Sequence, residues 1–229
     1  MVAAVAFAAL ALAAFAAPAR SATAVPASGE ARAAAAGKAA RTWRQAHERA
    51  ILAEFARFLA LPNVASDRAG IAANVDTLRA LLVRRGLAVR VLRQGDAPPV
   101  VVGDLAGPPG ARTVAFYAHY DGQPTDTLSW RGLPWTPVLR SLADAELPLS
   151  GDAPLDPEAR LFARSAGDDK AAIVAMLGAL DALRAAGTKP AFHLRLVFEG
   201  EEEAGSPNFA KGRSRLIASR CAVRGARPN

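Results

Sequence analysis

Residues 113–121, TVAFYAHYD, decide the fold, because a continuous apolar run leads there directly into a histidine and an aspartate. Unbroken apolar runs of this length are typical of strands buried in a mostly parallel sheet. The turn sequence GPPG at 107–110 shows where the strand begins. Two shorter β-type runs, 87–92 and 100–105, precede it. We therefore predict a buried strand that ends at His119.

A helix and another strand follow along the chain. Residues 169–186 show helical spacing through Ile173 and Leu177, and Gly187 closes the helix. Residues 192–198 read as a strand that ends in the acidic run EGEEE. The order β, α, β predicts an α/β fold: a mostly parallel sheet flanked by helices, with a site at the carboxyl ends of its strands.

Two amphipathic helices are predicted upstream of these strands. The first covers 42–61 and is ended by Pro62. The second begins at a cap formed by Ser66 or Asp67 and ends at Gly86, where a left-handed residue is expected. Both helices carry an apolar stripe, so we expect them to cover the sheet.

The N-terminal segment 1–24 reads as a signal peptide, because small residues follow the apolar run 2–17. The run is short for a bilayer, so no stable membrane span is expected after cleavage. Export to the periplasm or medium is the preferred interpretation. Because no Lys or Arg precedes the run, an Ala-rich leader on a cytoplasmic protein remains the alternative. Residues 25–40 are predicted to be a disordered linker, and the folded part is expected to begin near Arg41.

Charge and cysteine content exclude several classes of function. Of the 28 basic residues, six lie within 211–229, which contains no acidic residue, and the others nearly balance the 21 acidic ones. Aromatic residues are not interleaved with basic ones, so nucleic acid is not a predicted partner. The single cysteine, Cys221, excludes a disulfide framework and a thiolate zinc cluster. A metal site in this chain must therefore use histidine and carboxylates.

Three short motifs stand at predicted strand ends or at a helix start: HYD at 119–121, GDDK at 167–170 and EGEEEAGS at 199–206. Each motif is weak alone, because acidic residues at helix starts and in loops are usually solvated. One sheet would bring all three together. One imidazole with several carboxylates is a ligand set that suits Zn²⁺.

In order and spacing these motifs resemble those of the M20 family of metallopeptidases. The resemblance covers roughly 43–210 and is strongest in VAFYAHYDGQP (114–124), LFARSAGDDKAAIVAML (161–177) and LVFEGEEEAGS (196–206). It implies a zinc-peptidase-like catalytic domain with two Zn²⁺ ions per site. It also implies metal-assisted hydrolysis of a peptide or N-acyl amino acid amide bond.

The resemblance implies a metal-ligand role for three residues. His119 matches the family's first zinc ligand, and Asp168 matches the carboxylate that bridges the two metals. Glu203 matches a further metal ligand. The peptide bond between Asp168 and Asp169 is expected to be cis, as in the family.

The resemblance also implies roles beside the metals. Asp121 matches the carboxylate that orients His119. Glu202 matches the general base that takes a proton from the attacking water and passes it to the leaving amine. Glu199 and Glu201 are expected to be structural or outer residues of the site.

The sequence departs from the family after Glu203. A carboxylate on the second metal and a histidine near the C-terminus have no counterpart, because no acidic residue follows Glu203 and both His47 and His193 precede it. We expect these two histidines to be structural. The smaller lid and dimerisation domain also has no counterpart. Residues 211–229 read as an aberrant basic tail, for which a frameshift is preferred over a natural tail on a short homologue.

Two classes of function remain open at this point. One is an exported metallopeptidase whose dizinc centre is incomplete in this chain, so that the chain by itself is expected to be inactive. The other is a non-catalytic M20-like fragment or binding module. The motifs do not separate dipeptidase, carboxypeptidase and deacylase, since specificity resides largely in the lid. Full-length relatives are expected to be homodimers. Trp130 and Trp135 could line a pocket, but packing is preferred.

Overall fold

A computed structural model describes residues 29–151 and 153–209 of the chain. The signal peptide predicted over 1–24 and the tail predicted over 211–229, with Cys221, lie outside the described residues. The helices are α1 (Gly29–Ala46), α2 (Glu48–Leu59), α3 (Arg68–Arg84) and α4 (Lys170–Ala185). The strands are β1 (Ala88–Leu92), β2 (Val100–Leu105), β3 (Thr113–His119), β4 (Val138–Arg140), β5 (Glu146–Leu147), β6 (Arg160–Phe162) and β7 (His193–Glu199).

The main sheet has the strand order β1-β2-β7-β3, which confirms the α/β class. Strands β3 and β7 are parallel, whereas β2 is antiparallel to both β1 and β7. The described sheet is therefore mixed, and the prediction that it is mostly parallel is corrected. The short connection 93–99 allows β1 and β2 to pair only as a hairpin, while the crossover through α4 makes β3 and β7 parallel.

The parallel strands β3 and β7 place the predicted site residues together at the carboxyl ends of these two strands. In their register His119 is opposite Glu199, so both strands end at the same level. The segment after β3 and the acidic segment after β7 consequently leave the sheet side by side. This is the arrangement that the order of the motifs predicts.

The helices largely follow the predicted boundaries. The side chain of Asp67 accepts a hydrogen bond from the Gly70 backbone N–H at 3.0 Å and caps α3, and Gly86 has a φ of +81°. The predicted helix 42–61 is instead two helices, which meet at His47, where φ is −121°. In the described part of the chain, no helix combines the length and the apolar character needed to cross a membrane.

Helix α1 corrects the prediction of a linker over 25–40 where the two overlap. Residues 29–40 are helical, and α1 packs against α4 and α2. Its sequence is rich in alanine, which has the highest intrinsic helix propensity. The composition was typical of a linker, but the same alanines favour a helix once another helix is available to pack against.

The core lies on one face of the main sheet, between the sheet and helices α2, α3 and α4. Its fully or almost fully buried residues come from all of these elements: Phe58, Ile71, Val75, Leu78, Leu82, Val101, Ile173, Leu177, Leu194, Leu196 and Phe198. The long segment between β3 and α4 contains a second sheet of order β5-β4-β6. Its strands have two or three residues each, which is too short for a periodic signal.

Candidate metal centre

His119 is the last residue of β3, and its side chain lies at the centre of the candidate site. The imidazole is buried, and its Nε2 atom lies 2.8 Å from Oδ1 of Asp168 and 3.7 Å from Oε2 of Glu202. Its Nδ1 atom lies 3.4 Å from Oδ1 of Asp121, too long for a strong hydrogen bond but short enough for an ion pair. One histidine therefore faces carboxylates from both other motifs.

Asp121 holds the acidic segment next to this histidine. Its carboxylate is completely buried and accepts hydrogen bonds from the backbone N–H groups of Glu202 and Glu203, each at 3.1 Å. Because both oxygens are used, the carboxylate fixes the start of the short 3₁₀ turn Glu202–Ala204. Asp121 thus links the end of β3 to the segment after β7, beyond its expected role beside His119.

The GDDK motif reaches the same point from the start of α4. The Asp168–Asp169 peptide bond is cis, as predicted. The side chain of Asp168 is 80% exposed, so its carboxylate faces outward over His119. The carboxylate of Asp169 turns back and accepts a hydrogen bond from the backbone N–H of His119 at 3.3 Å. The two neighbouring aspartates therefore have different positions in the site.

His119, Asp168 and Glu203 form one cluster, in which one ligand atom from each residue lies within 4.8 Å of the others. The convergence predicted from the motifs is confirmed, while the metal-ligand roles themselves stay a prediction. Glu202 is 44% exposed and stands beside the cluster, close to the imidazole. One imidazole and two carboxylates in reach of one ion are a donor set that fits Zn²⁺.

The charge of the site also fits a cation. Burial lowers the pKa of the His119 imidazole, but the carboxylates of Asp121 and Asp168, with Glu202 nearby, outweigh that effect and raise the pKa to about 9. Near neutral pH the metal-free site therefore holds a proton on this imidazole, in surroundings rich in negative charge. A divalent cation would take the place of that proton.

Glu199 and Glu201 are turned away from the cluster and have structural partners. Glu201 is buried and accepts hydrogen bonds from the backbone and side-chain amides of Asn208, at 2.7 and 3.1 Å. Glu199 is buried at the end of β7 and accepts a hydrogen bond from the Tyr117 hydroxyl at 2.6 Å. Burial raises the pKa of the Glu199 carboxyl, although hydrogen bonds from Tyr117 and Ser206 oppose the shift. These contacts agree with the structural roles expected for the two glutamates.

Two residues near the site, Gln123 and Lys170, were not identified as functional from the sequence. Gln123 donates a hydrogen bond from Nε2 to Oε2 of Glu203 at 2.7 Å, and only its place just after HYD could have suggested this. Lys170, the last residue of GDDK, is completely buried, and its ammonium donates to the carbonyls of Phe58 at 2.8 Å and Leu61 at 3.2 Å. Burial lowers the Lys170 pKa to about 7. These bonds tie the start of α4 to the end of α2.

The other residues considered in the sequence analysis lie in local contacts. His47 stacks on Trp43 with a centroid separation of 4.2 Å, and Nδ1 of His193 accepts a hydrogen bond from the Gly107 backbone at 3.0 Å. The Trp130 ring lies under the Arg164 guanidinium at 5.1 Å. Neither histidine belongs to the described cluster.

Comparison with known proteins places this geometry in context. Residues 115–226 match the sequence model of peptidase family M20/M25/M40, and this range includes most of the basic segment 211–229. Over 109 residues the chain is 34% identical to a Beta-Ala-His dipeptidase of Homo sapiens, covering 48% of this chain and 18% of that protein. Over 110 residues it is 31% identical to a Cys-Gly metallodipeptidase of Schizosaccharomyces pombe, covering 48% of this chain and 20% of that protein.

Solved structures agree on the fold. The chain superposes on human carnosine dipeptidase 1 with a TM-score of 0.62 and 22% identity, covering 80% of this chain and 39% of that one. A dipeptidase from Saccharomyces cerevisiae gives a TM-score of 0.63 and 18% identity, covering 78% and 37%. At these identities the likeness concerns the fold alone. The chain matches less than two fifths of each solved chain and about a fifth of each curated relative.

Proposed function

Since residues 115–226 match the sequence model of peptidase family M20/M25/M40, we propose that this chain provides metal ligands and the general base of a hydrolase that cleaves an amide bond. The observation that carries the proposal is the convergence of His119, Asp168 and Glu203, with ligand atoms within 4.8 Å, beside Glu202. The buried carboxylate of Asp121 supports it, because it lies 3.4 Å from Nδ1 of His119 and accepts hydrogen bonds from the backbone of the acidic segment.

We propose that His119, Asp168 and Glu203 hold zinc, with Asp168 between two ions. A bound divalent ion supplies Lewis acidity, which lowers the pKa of water and polarises a carbonyl. The carboxylate of Asp168 would be the ligand that two ions share, because its side chain is 80% exposed while one oxygen lies 2.8 Å from Nε2 of His119. Three groups are few for two ions, so further ligands would have to come from outside the described part of the chain.

We propose that Glu202 transfers a proton from the attacking water to the leaving amine. Its backbone is held by Asp121, while its carboxylate remains partly exposed near the imidazole. A carboxylate in that position can accept a proton from the attacking water and donate it to the nitrogen of the scissile amide. Asp121 would position the imidazole, because its carboxylate lies 3.4 Å from Nδ1 of His119 while it holds the acidic segment through two backbone N–H groups.

We propose a dipeptide as the substrate class. The curated relatives described above are named as dipeptidases, one for Beta-Ala-His and one for Cys-Gly. Cleavage of a longer peptide from its carboxyl end and deacylation of an N-acyl amino acid are the competing activities.

The test is zinc titration of the full chain by calorimetry, with hydrolysis assays on Beta-Ala-His and Cys-Gly beside the Glu202→Gln variant. We expect zinc to bind weakly and equally to both proteins, because Glu202 is not a proposed ligand. We expect neither protein to hydrolyse a dipeptide by itself, because the described ligands are too few for two ions. Failure of the unmodified chain to bind zinc would contradict the proposal.

Hydrolysis by the unmodified chain that disappears in Glu202→Gln would contradict only the expectation of inactivity. It would mean that the remaining ligands come from residues outside the described part or from a second chain. The alternative, a non-catalytic binding module, predicts that neither zinc nor the substitution at Glu202 has any effect on what the protein binds.

Zinc affinity is expected to rise with pH. The raised pKa of His119, about 9, means that one proton must leave when a metal binds at neutral pH. The apparent affinity should therefore increase about tenfold per pH unit between roughly pH 6.5 and 8.5. Titrations at three pH values, each in two buffers of different ionisation enthalpy, measure the affinity and the protons released. An affinity independent of pH would show that His119 does not bind the metal.

A further inference from the structure

We propose that Asn63 is a positioning residue of the metal centre, which sets the distance between the segment bearing His119 and Asp121 and the segment bearing Asp168. The inference rests on the proposed metal site and names a residue outside all three motifs. Asn63 lies between α2 and α3, far from the motifs in sequence, and its side chain is completely buried.

The side chain of Asn63 bonds to both ligand-bearing segments. Its Nδ2 atom donates to the carbonyl of Tyr120 at 2.8 Å and to Oγ of Ser165 at 2.9 Å. Tyr120 stands between His119 and Asp121, and Ser165 stands three residues before Asp168. One amide group therefore spans the gap between the two segments.

The orientation of this amide is determined by its partners. The indole Nε1 of Trp135 donates to Oδ1 of Asn63 at 3.0 Å, and an indole N–H can only donate. The Tyr120 carbonyl can only accept, so it must face Nδ2. All three bonds are satisfied in one arrangement, and a flipped amide would lose the bonds to Trp135 and Tyr120.

The backbone at Gly122, next to Asp121, packs closely against both Asn63 and Ser165. The carbonyl of Asn63 accepts a hydrogen bond from the Gly122 N–H at 2.9 Å. A Cβ atom on Gly122 would lie 2.4 Å from Oγ of Ser165 and 3.1 Å from the Asn63 amide. Ser165 is itself buried, in a left-handed conformation with φ of +63°. Small displacements here would move Asp121 and Asp168 relative to each other.

The experiment measures metal affinity of the full chain, using Co²⁺ as a spectroscopic probe and Zn²⁺ in competition. Outer partners of metal ligands typically change affinity by about 10- to 100-fold, and we expect a loss in that range for Asn63→Ala. Ser165→Ala, which removes only the bond toward Asp168, should lower affinity about tenfold and alter the Co²⁺ absorption bands. Trp135→Phe keeps both bonds to the ligand-bearing segments and should change affinity less than about threefold.

Val75→Ala is the control, because Val75 is buried in the core on α3 and its aliphatic side chain takes part in none of these hydrogen bonds. It should lower the unfolding midpoint without changing affinity or the Co²⁺ spectrum. Asn63→Ala and Ser165→Ala proteins that bind metal like Val75→Ala would overturn the inference. If Asn63→Ala does not fold, the same comparison is made with Ser165→Ala. An unmodified chain that binds no metal would instead overturn the proposed function, and this inference with it.

Discussion

Replacement of His119 by alanine is expected to lower the zinc affinity of the chain by more than about 100-fold. Loss of an outer partner already costs about 10- to 100-fold, and here the sole imidazole of the described cluster is removed. Two carboxylates remain, which are poor at holding Zn²⁺ without a nitrogen ligand. Calorimetric titration at pH 7.5 measures the change.

The control for this substitution is His47→Ala. His47 is exposed and stacks on Trp43 at the surface, and it has no contact with the cluster. Its removal should leave zinc affinity within about twofold of the unmodified chain, a change well below that of an outer partner. Equal losses in both variants would mean that zinc binds at random surface histidines. No loss in either would place the metal away from His119.

Replacement of Gly200 by alanine is expected to destabilise the fold by about 3 kcal/mol. An added Cβ atom would lie 2.3 Å from the hydroxyl oxygen of Tyr120 and 2.4 Å from Cζ of the same ring. The ring cannot move aside, since it is completely buried and its hydroxyl donates to the Pro99 carbonyl at 2.6 Å. The backbone after β7 must therefore shift, which should also weaken zinc binding through Glu203.

The matched control is Gly178→Ala in the middle of α4. A Cβ atom there meets nothing within 4 Å, so the substitution should stabilise the chain by about 0.5–1 kcal/mol through helix propensity. Urea unfolding of both variants gives the two free energies. A Gly200→Ala protein as stable as the unmodified chain would show that Tyr120 and the segment after β7 are not packed as described.

Much of the site could be predicted from sequence because each pattern that specifies it spans only a few neighbouring residues. The apolar run that ends at His119, the cap at Asp67 and the left-handed Gly86 are short-range patterns, and each element formed where its pattern indicated. The carboxyl ends of parallel strands meet at one edge, so the convergence of His119 with Glu203 followed from the β, α, β order.

Pairing between strands and contacts between distant side chains were decided only by the tertiary structure. Hydrophobic periodicity and secondary-structure propensity describe one segment at a time. The position of β2 between β1 and β7 depends instead on packing across the whole sheet. The same holds for Asn63, Gln123 and Lys170, which bond to partners 57 or more residues away. The sequence by itself determined which residues could carry the chemistry. Only the tertiary structure decided that the buried amide of Asn63 and the buried ammonium of Lys170 hold the segments of the site together. A side chain is buried among such partners only after distant segments of the chain have packed together.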